Sequence, residues 1–113
     1  MITIVTLPQF DKNIKKLCKK YHSLYTDFAK LIQELQDNPY LGTDLGNGVR
    51  KIRVSITSKG KGKRGGARVL TDTEAVISMK EGRIVLLSIY DKSEMETLSD
   101  TAIKALIKEA RNL

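Results

Sequence analysis

The sequence predicts an α+β fold: an N-terminal strand, two helices, a four-strand antiparallel meander and a C-terminal helix, in a single domain over residues 1–113. Three observations predict it. Apolar residues recur at helical steps from Phe10 to Leu35. From Ile52 they switch to every second residue, the period of a half-buried strand. Helical spacing returns from Ile103 to Ala110. Strands that follow one another without intervening helices favour antiparallel pairing over a doubly wound parallel sheet.

Each element has its own signal. Residues 1–6 (MITIVT) are short and β-branched and read as the opening strand. Pro8 suits the first turn of a helix, where its missing N–H costs nothing. Phe10, Ile14, Leu17, Cys18 and Tyr21 then form one helical face, and Lys12, Lys15, Lys16, Lys19 and Lys20 the opposite one. Leu24, Phe28, Leu31, Ile32 and Leu35 make a second amphipathic run, with Ser23 its expected N-cap and Asn38-Pro39 its end. Residues 40–48 (YLGTDLGNG) read as loop. Ile52, Val54 and Ile56 alternate with Lys51, Arg53, Ser55 and Thr57, a strand with one apolar and one basic face. Residues 58–66 (SKGKGKRGG) read as a flexible hairpin connector. Strands are expected at 67–71, 75–79 and 83–90, the last apolar enough to be buried on both faces. Ser99 is the expected N-cap of the closing helix, with Leu98 stapled onto Ile103.

Composition excludes several classes. The chain of 113 residues is 41% hydrophobic, enough for one core. No apolar run reaches the roughly 18 residues of a membrane span, and no signal-peptide pattern opens the chain. A lone cysteine, Cys18, forms no internal disulfide and fits a cytoplasmic protein. No His, Cys or carboxylate spacing suggests a metal, and no cofactor is expected. His22 is the only histidine, which rules out a two-histidine ribonuclease mechanism.

The net charge of +7 is the most informative number, because it is concentrated. Residues 50–68 hold Arg50, Lys51, Arg53, Lys59, Lys61, Lys63, Arg64 and Arg68 and no acid. A solvated loop kept for solubility would interleave acids, so a polyanion partner, nucleic acid first, is the better reading. The GKGKRGG stretch is not a P-loop: a strand follows it rather than a helix, and no Ser/Thr follows the lysine. Lys51, Arg53 and Arg68 on neighbouring strands can clamp phosphate, Arg by its two-pronged fork and Lys as a point charge. Tyr90, at the end of the apolar strand, can stack on a base or exchange a proton.

The segments NGVRKIRVSITSKGKGKRGGARVL and LLSIYDKSEMETLS, in this order of elements, resemble the RelE/HigB branch of the RelE/ParE toxin superfamily. The resemblance covers nearly the whole chain. It implies the toxin of a type II toxin–antitoxin pair that cuts messenger RNA on the ribosome, inhibits translation and is held inactive by a cognate antitoxin. It places the catalytic set on Lys51, Arg53, Arg68, Tyr90 and Lys92, and RNA or ribosome contacts on Arg50, Lys59, Lys61, Lys63 and Arg64. Many such toxins carry a tyrosine or histidine near the C-terminus; residues 108–113 (KEARNL) carry neither. The implied chemistry is metal-free: the RNA 2′-hydroxyl attacks the neighbouring phosphate while cations stabilise the phosphorane. Crowded cations favour a neutral lysine among them, which makes Lys51 the candidate base, with Lys92 or Lys61 the candidate acid. The alternatives are a gyrase-poisoning toxin of the ParE branch and a non-catalytic nucleic-acid-binding protein.

Overall fold

A computed structural model describes residues 1–113. The elements run β1 (Thr3–Thr6), α1 (Pro8–Lys20), α2 (Leu24–Asp37), β2 (Thr43–Gly46), β3 (Val49–Val54), a 3-10 turn (Thr57–Lys59), β4 (Ala67–Asp72), β5 (Val76–Ser78), β6 (Glu81–Asp91) and α3 (Asp100–Arg111). The α+β class and the three helices are as the periodicity predicts. The strands form a mixed sheet in the order β1-β6-β4-β3-β2. β1 runs parallel to β6, and the other pairs are antiparallel.

Two strands depart from the expected meander. Thr43–Gly46, read as loop, pairs with β3 as an edge strand. Glycine and aspartate disfavour strands locally, and here pairing overrides that preference. β5 does not stand between β4 and β6: it folds back on the start of β6 outside the main sheet, leaving β4 hydrogen-bonded directly to β6. No helix is long and apolar enough to cross a membrane.

Two apolar clusters hold the layers together. On one face of the sheet Phe10, Leu17, Leu24, Leu31 and Leu35 of α1 and α2 bury Ile52, Val54, Val69, Ile84, Leu86 and Ile89. On the other face Ala110 of α3, with Ile103, Leu106 and Ile107 around it, covers Leu7, Val49, Leu70, Val85 and Leu87. Complete burial of one such leucine contributes about 2 kcal/mol. Ser99 caps α3, accepting a bond of 3.1 Å from Ala102 N–H. Leu98 packs on the same cluster as Ile103. Ser23 does not cap α2. Its hydroxyl donates to Asp27 and accepts from the Ser58 N–H at 2.8 Å, tying the start of α2 to the 3-10 turn.

A bulge in β6 decides what faces where. Leu70 is paired with Ser88 but Thr71 with Leu86, so Leu87 is an extra residue. Leu86 and Ile89, three apart, therefore both join the α1/α2 side, and Val85 and Leu87 the α3 side. Without the extra residue Tyr90 would fall under α1 and α2 by simple alternation. The bulge turns it to the α3 side.

Candidate functional site

The three central strands set a row of side chains across the sheet. Arg53 on β3 is directly opposite Arg68 on β4, and Arg68 is directly opposite Tyr90 on β6. Lys51 is on the same face of β3, two residues along. Each belongs to the face opposite the α1/α2 cluster, because its neighbours Ile52, Val54, Ala67, Val69 and Ile89 fill that cluster. α3 covers only part of this face, so the row occupies the part beyond it.

The members of the row differ in depth. Arg53 is exposed and Lys51 half-buried, whereas Arg68 and Tyr90 are only 4% and 6% exposed. The Arg68 guanidinium donates to the carbonyls of Lys63 at 2.9 Å, Ala67 at 3.0 Å and Arg64 at 3.1 Å. It thereby fixes the connector between β3 and β4, and its contact with a substrate phosphate is not direct in this geometry. Burial, and then the nearby charge of Arg53, lowers its pKa from the ordinary arginine value. The Tyr90 hydroxyl is buried with no hydrogen-bond partner. Burial raises its pKa, against lowering contributions from Thr97 and Arg68.

The connector is not the unstructured loop the sequence suggests. The 3-10 turn ends at Gly60 in the left-handed region (φ 70°), and Gly65 and Gly66 N–H donate to Lys61 and Lys63 carbonyls. Asp27 receives the Thr57 N–H at 2.9 Å and the Thr57 hydroxyl at 2.5 Å. Burial opposes its charge, but these bonds and that from Ser23 outweigh it, and its pKa falls. Lys61, Lys63 and Arg64 are exposed on this folded turn. A groove of about 470 Å³ between α2 and the edge of β3 is lined by Lys51, Arg53 and Lys63 with Lys30, Asp27 and Glu34 of α2. Lys30 was not singled out from the sequence, where one lysine on a solvated helix face carries no signal.

Two predicted RNA contacts are otherwise engaged. Lys59 donates to Asp91 at 2.9 Å, with the two side chains 10% and 0% exposed, and to Ser93. Asp91 also accepts 2.6 Å from the Tyr21 hydroxyl. Burial opposes the Asp91 charge, and the bonds from Tyr21, Lys59 and Ser93 outweigh it, holding its pKa well below the usual carboxylate range. Lys59 is therefore a structural cation under the connector. Arg50 donates to the Gly42 carbonyl at 2.9 Å and lies 4.0 Å from Asp44, which ties it to β2. Lys92 is half-buried just past β6, its N–H bonded to the Gly66 carbonyl at 3.1 Å.

The sequence model of the family described as RelE toxin of RelE / RelB toxin-antitoxin system matches residues 10–113. The chain belongs to the RelE toxin family. It is the toxin of a toxin–antitoxin system, and a cognate antitoxin is its partner. In this RelE-family toxin Arg53 and Arg68 stand side by side on the sheet with Tyr90 next in the row, and Lys51 and Arg53 also border the groove against α2.

Proposed function

We propose that this RelE-family toxin is a ribosome-dependent messenger RNA endoribonuclease, acting in the cytoplasm without a metal and inhibiting translation. The observation that carries the reading is the cross-strand row of Arg53, Arg68 and Tyr90, with Lys51 beside it. Cations held on rigid strands stabilise a phosphorane better than mobile ones, because no reorganisation accompanies the reaction.

The depths of the side chains assign the roles. Arg53 and Lys51 reach the surface and contact the scissile phosphate. Lys51 takes the 2′-hydroxyl proton, and Lys61 or Lys92 protonates the departing 5′-oxygen. Arg68 acts as a positioning residue: it holds the carbonyls of 63, 64 and 67, and so presents Lys63 and Arg64 to RNA. Its charge adds to the field from below. Tyr90 supports the row from beneath.

The test is mapping of messenger RNA ends in a translating extract with purified toxin. Cuts within translated frames are expected. Arg53→Ala should slow cleavage by about 10²–10³-fold, the effect of removing one transition-state donor. Unchanged cleavage in both Arg53→Ala and Lys51→Ala would remove the assignment. Intact message with gyrase-dependent DNA breaks would instead indicate the ParE-type activity.

A further inference from the structure

Helix α1 carries a row of cations that neither the core nor the candidate site uses. Lys12, Lys15, Lys16, Lys19 and Lys20 are all exposed. At 3.6 residues per turn the five lie within an arc of about 140°, opposite Phe10, Ile14 and Leu17. No acid is interleaved between residues 12 and 20. Lys20 pairs with Glu94 at 2.6 Å; the other four make no ion pair. Three like-charged pairs one turn apart (Lys12 and Lys16, Lys15 and Lys19, Lys16 and Lys20) destabilise the helix. A surface kept for solubility is served as well by mixed charges, without that strain.

The row reaches the end of β6, although it lies on the other side of the sheet from Arg53. A groove of about 510 Å³ joins α1 to the end of β6, lined by Lys16, Lys20, Ile89, Tyr90, Glu94 and Met95. The chemistry of the face also separates its partners. Of the other side chains on or beside the arc, Gln9 and Asn13 are polar and bonded to each other at 3.0 Å, Pro8 lies in the first turn, and Asp11, beyond Lys15, bonds the Thr6 hydroxyl. A protein partner needs apolar or aromatic anchors; the one place for them is the groove along one edge of the arc, where Tyr25 and Phe28 lie beside Lys15 and Lys19, while the middle of the arc offers charge alone. Contacts to a phosphate backbone need only the charges.

We propose that the lysine face of α1 is a second RNA-binding surface, on which Lys12, Lys15, Lys16 and Lys19 hold backbone phosphates of structured RNA beside the cleavage site. This rests on the reading of the protein as an RNA-directed toxin, and extends it from the scissile linkage to the surrounding RNA. The four lysines supply affinity and orientation, not chemistry.

The experiment compares the full chain with a K12Q/K15Q/K16Q/K19Q variant in filter binding to a ribosomal RNA duplex fragment, from about 50 to about 200 mM salt. Each lost phosphate contact reduces the slope of log affinity against log salt by about 0.9, so the variant's slope should fall by about 3 to 4. Circular dichroism of both proteins checks that α1 persists. Arg53→Ala should leave most of the slope while slowing message cleavage by about 10²–10³-fold. A reduced slope in the quadruple variant, with a wild type that cuts no message, upholds the α1 surface and removes the nuclease reading. A wild-type slope in the quadruple variant overturns the proposal. If affinity for the co-encoded antitoxin falls while the slope stays, the face is a protein-docking surface and the proposal is equally overturned.

Discussion

At the scale of single residues, the cationic segment divides into charges that act on the fold and charges that act outward. Lys59 and Arg68 belong to the first kind, Arg53 and Lys63 to the second. The Lys59–Asp91 pair shows what the first kind contributes. Asp91 is fully enclosed and Lys59 nearly so, and three further bonds from Tyr21 and Ser93 complete the carboxylate. Asp91→Asn leaves the Lys59 ammonium without its counter-charge in a dry site, so a loss of about 3 to 5 kcal/mol in denaturant unfolding is expected. The folded pKa of Asp91 lies below its unfolded value. Its stabilisation is therefore fully present above the unfolded carboxylate pKa of about 3.9 and is lost as pH falls through the folded value. The stability gap between wild type and Asp91→Asn should be constant from pH 7 to about pH 5 and narrow below about pH 4. A gap independent of pH down to the acid transition would refute the account. None of this division is visible in the string of letters, because Lys59 and Lys61 look alike until the partner thirty-two residues away is placed.

At the scale of elements, two glycines of the one glycine-rich connector do different jobs. In the sequence the glycines of residues 60–66 read as the mark of a flexible connector. For Gly66 the structure gives another reason: a Cβ there would overlap the Val54 carbonyl oxygen, where β4 enters against β3. Its carbonyl also receives the Lys92 N–H. Gly66→Ala must therefore shift the strand entry, with an expected loss of about 2 kcal/mol and weaker message cleavage. Gly62 has a left-handed φ of 61° and open space around it. Asparagine tolerates that conformation, as Asn47 does in this chain at φ 54°, so Gly62→Asn should leave thermal unfolding nearly unchanged. Equal effects of the two substitutions would contradict the packing argument. The helices, their apolar faces and strand β3 were legible because each rests on a clean period, and β6 because its run of apolar residues marks a strand buried on both faces. The edge strand β2 was not, because its residues are turn formers held extended by pairing with Lys51, Arg50 and Val49 opposite them. The bulge at Leu87 was also hidden: in a run apolar on both faces, an inserted residue leaves no gap in the pattern. Lys51, Arg53, Arg68 and Tyr90 could thus be named from the strand pattern and the family resemblance, whereas the burial of Arg68 and Tyr90 depends on a bulge and a folded connector.

At the scale of the whole molecule, the position of α3 sets the border of the exposed cations. The helix covers the half of the sheet face bearing Val49, Leu70, Val85 and Leu87 and leaves the half bearing Arg53. Its far end is fixed by one residue. Arg111 donates to buried Asp72 at 3.2 Å, pairs with Glu74 at 2.7 Å and also bonds the carbonyl of Asn47 in the β2–β3 turn. These charges raise the Arg111 pKa, with Asp72 the largest cause, so the clamp is charged at every physiological pH. α3 is otherwise held by a cluster of only six buried residues, against fourteen on the α1/α2 side. The sheet is thus clamped unequally, and α3 should open before α1 and α2. Arg111→Met keeps the apolar stem but leaves the Asp72 carboxylate short of its donors, at an expected cost of about 2 kcal/mol. Hydrogen exchange should then accelerate in residues 100–111 and around residues 47–48 while the amides of α1 keep their protection. Uniform acceleration across all three helices would mean that α3 unfolds only with the rest, and that its border with the cation row is as rigid as the core.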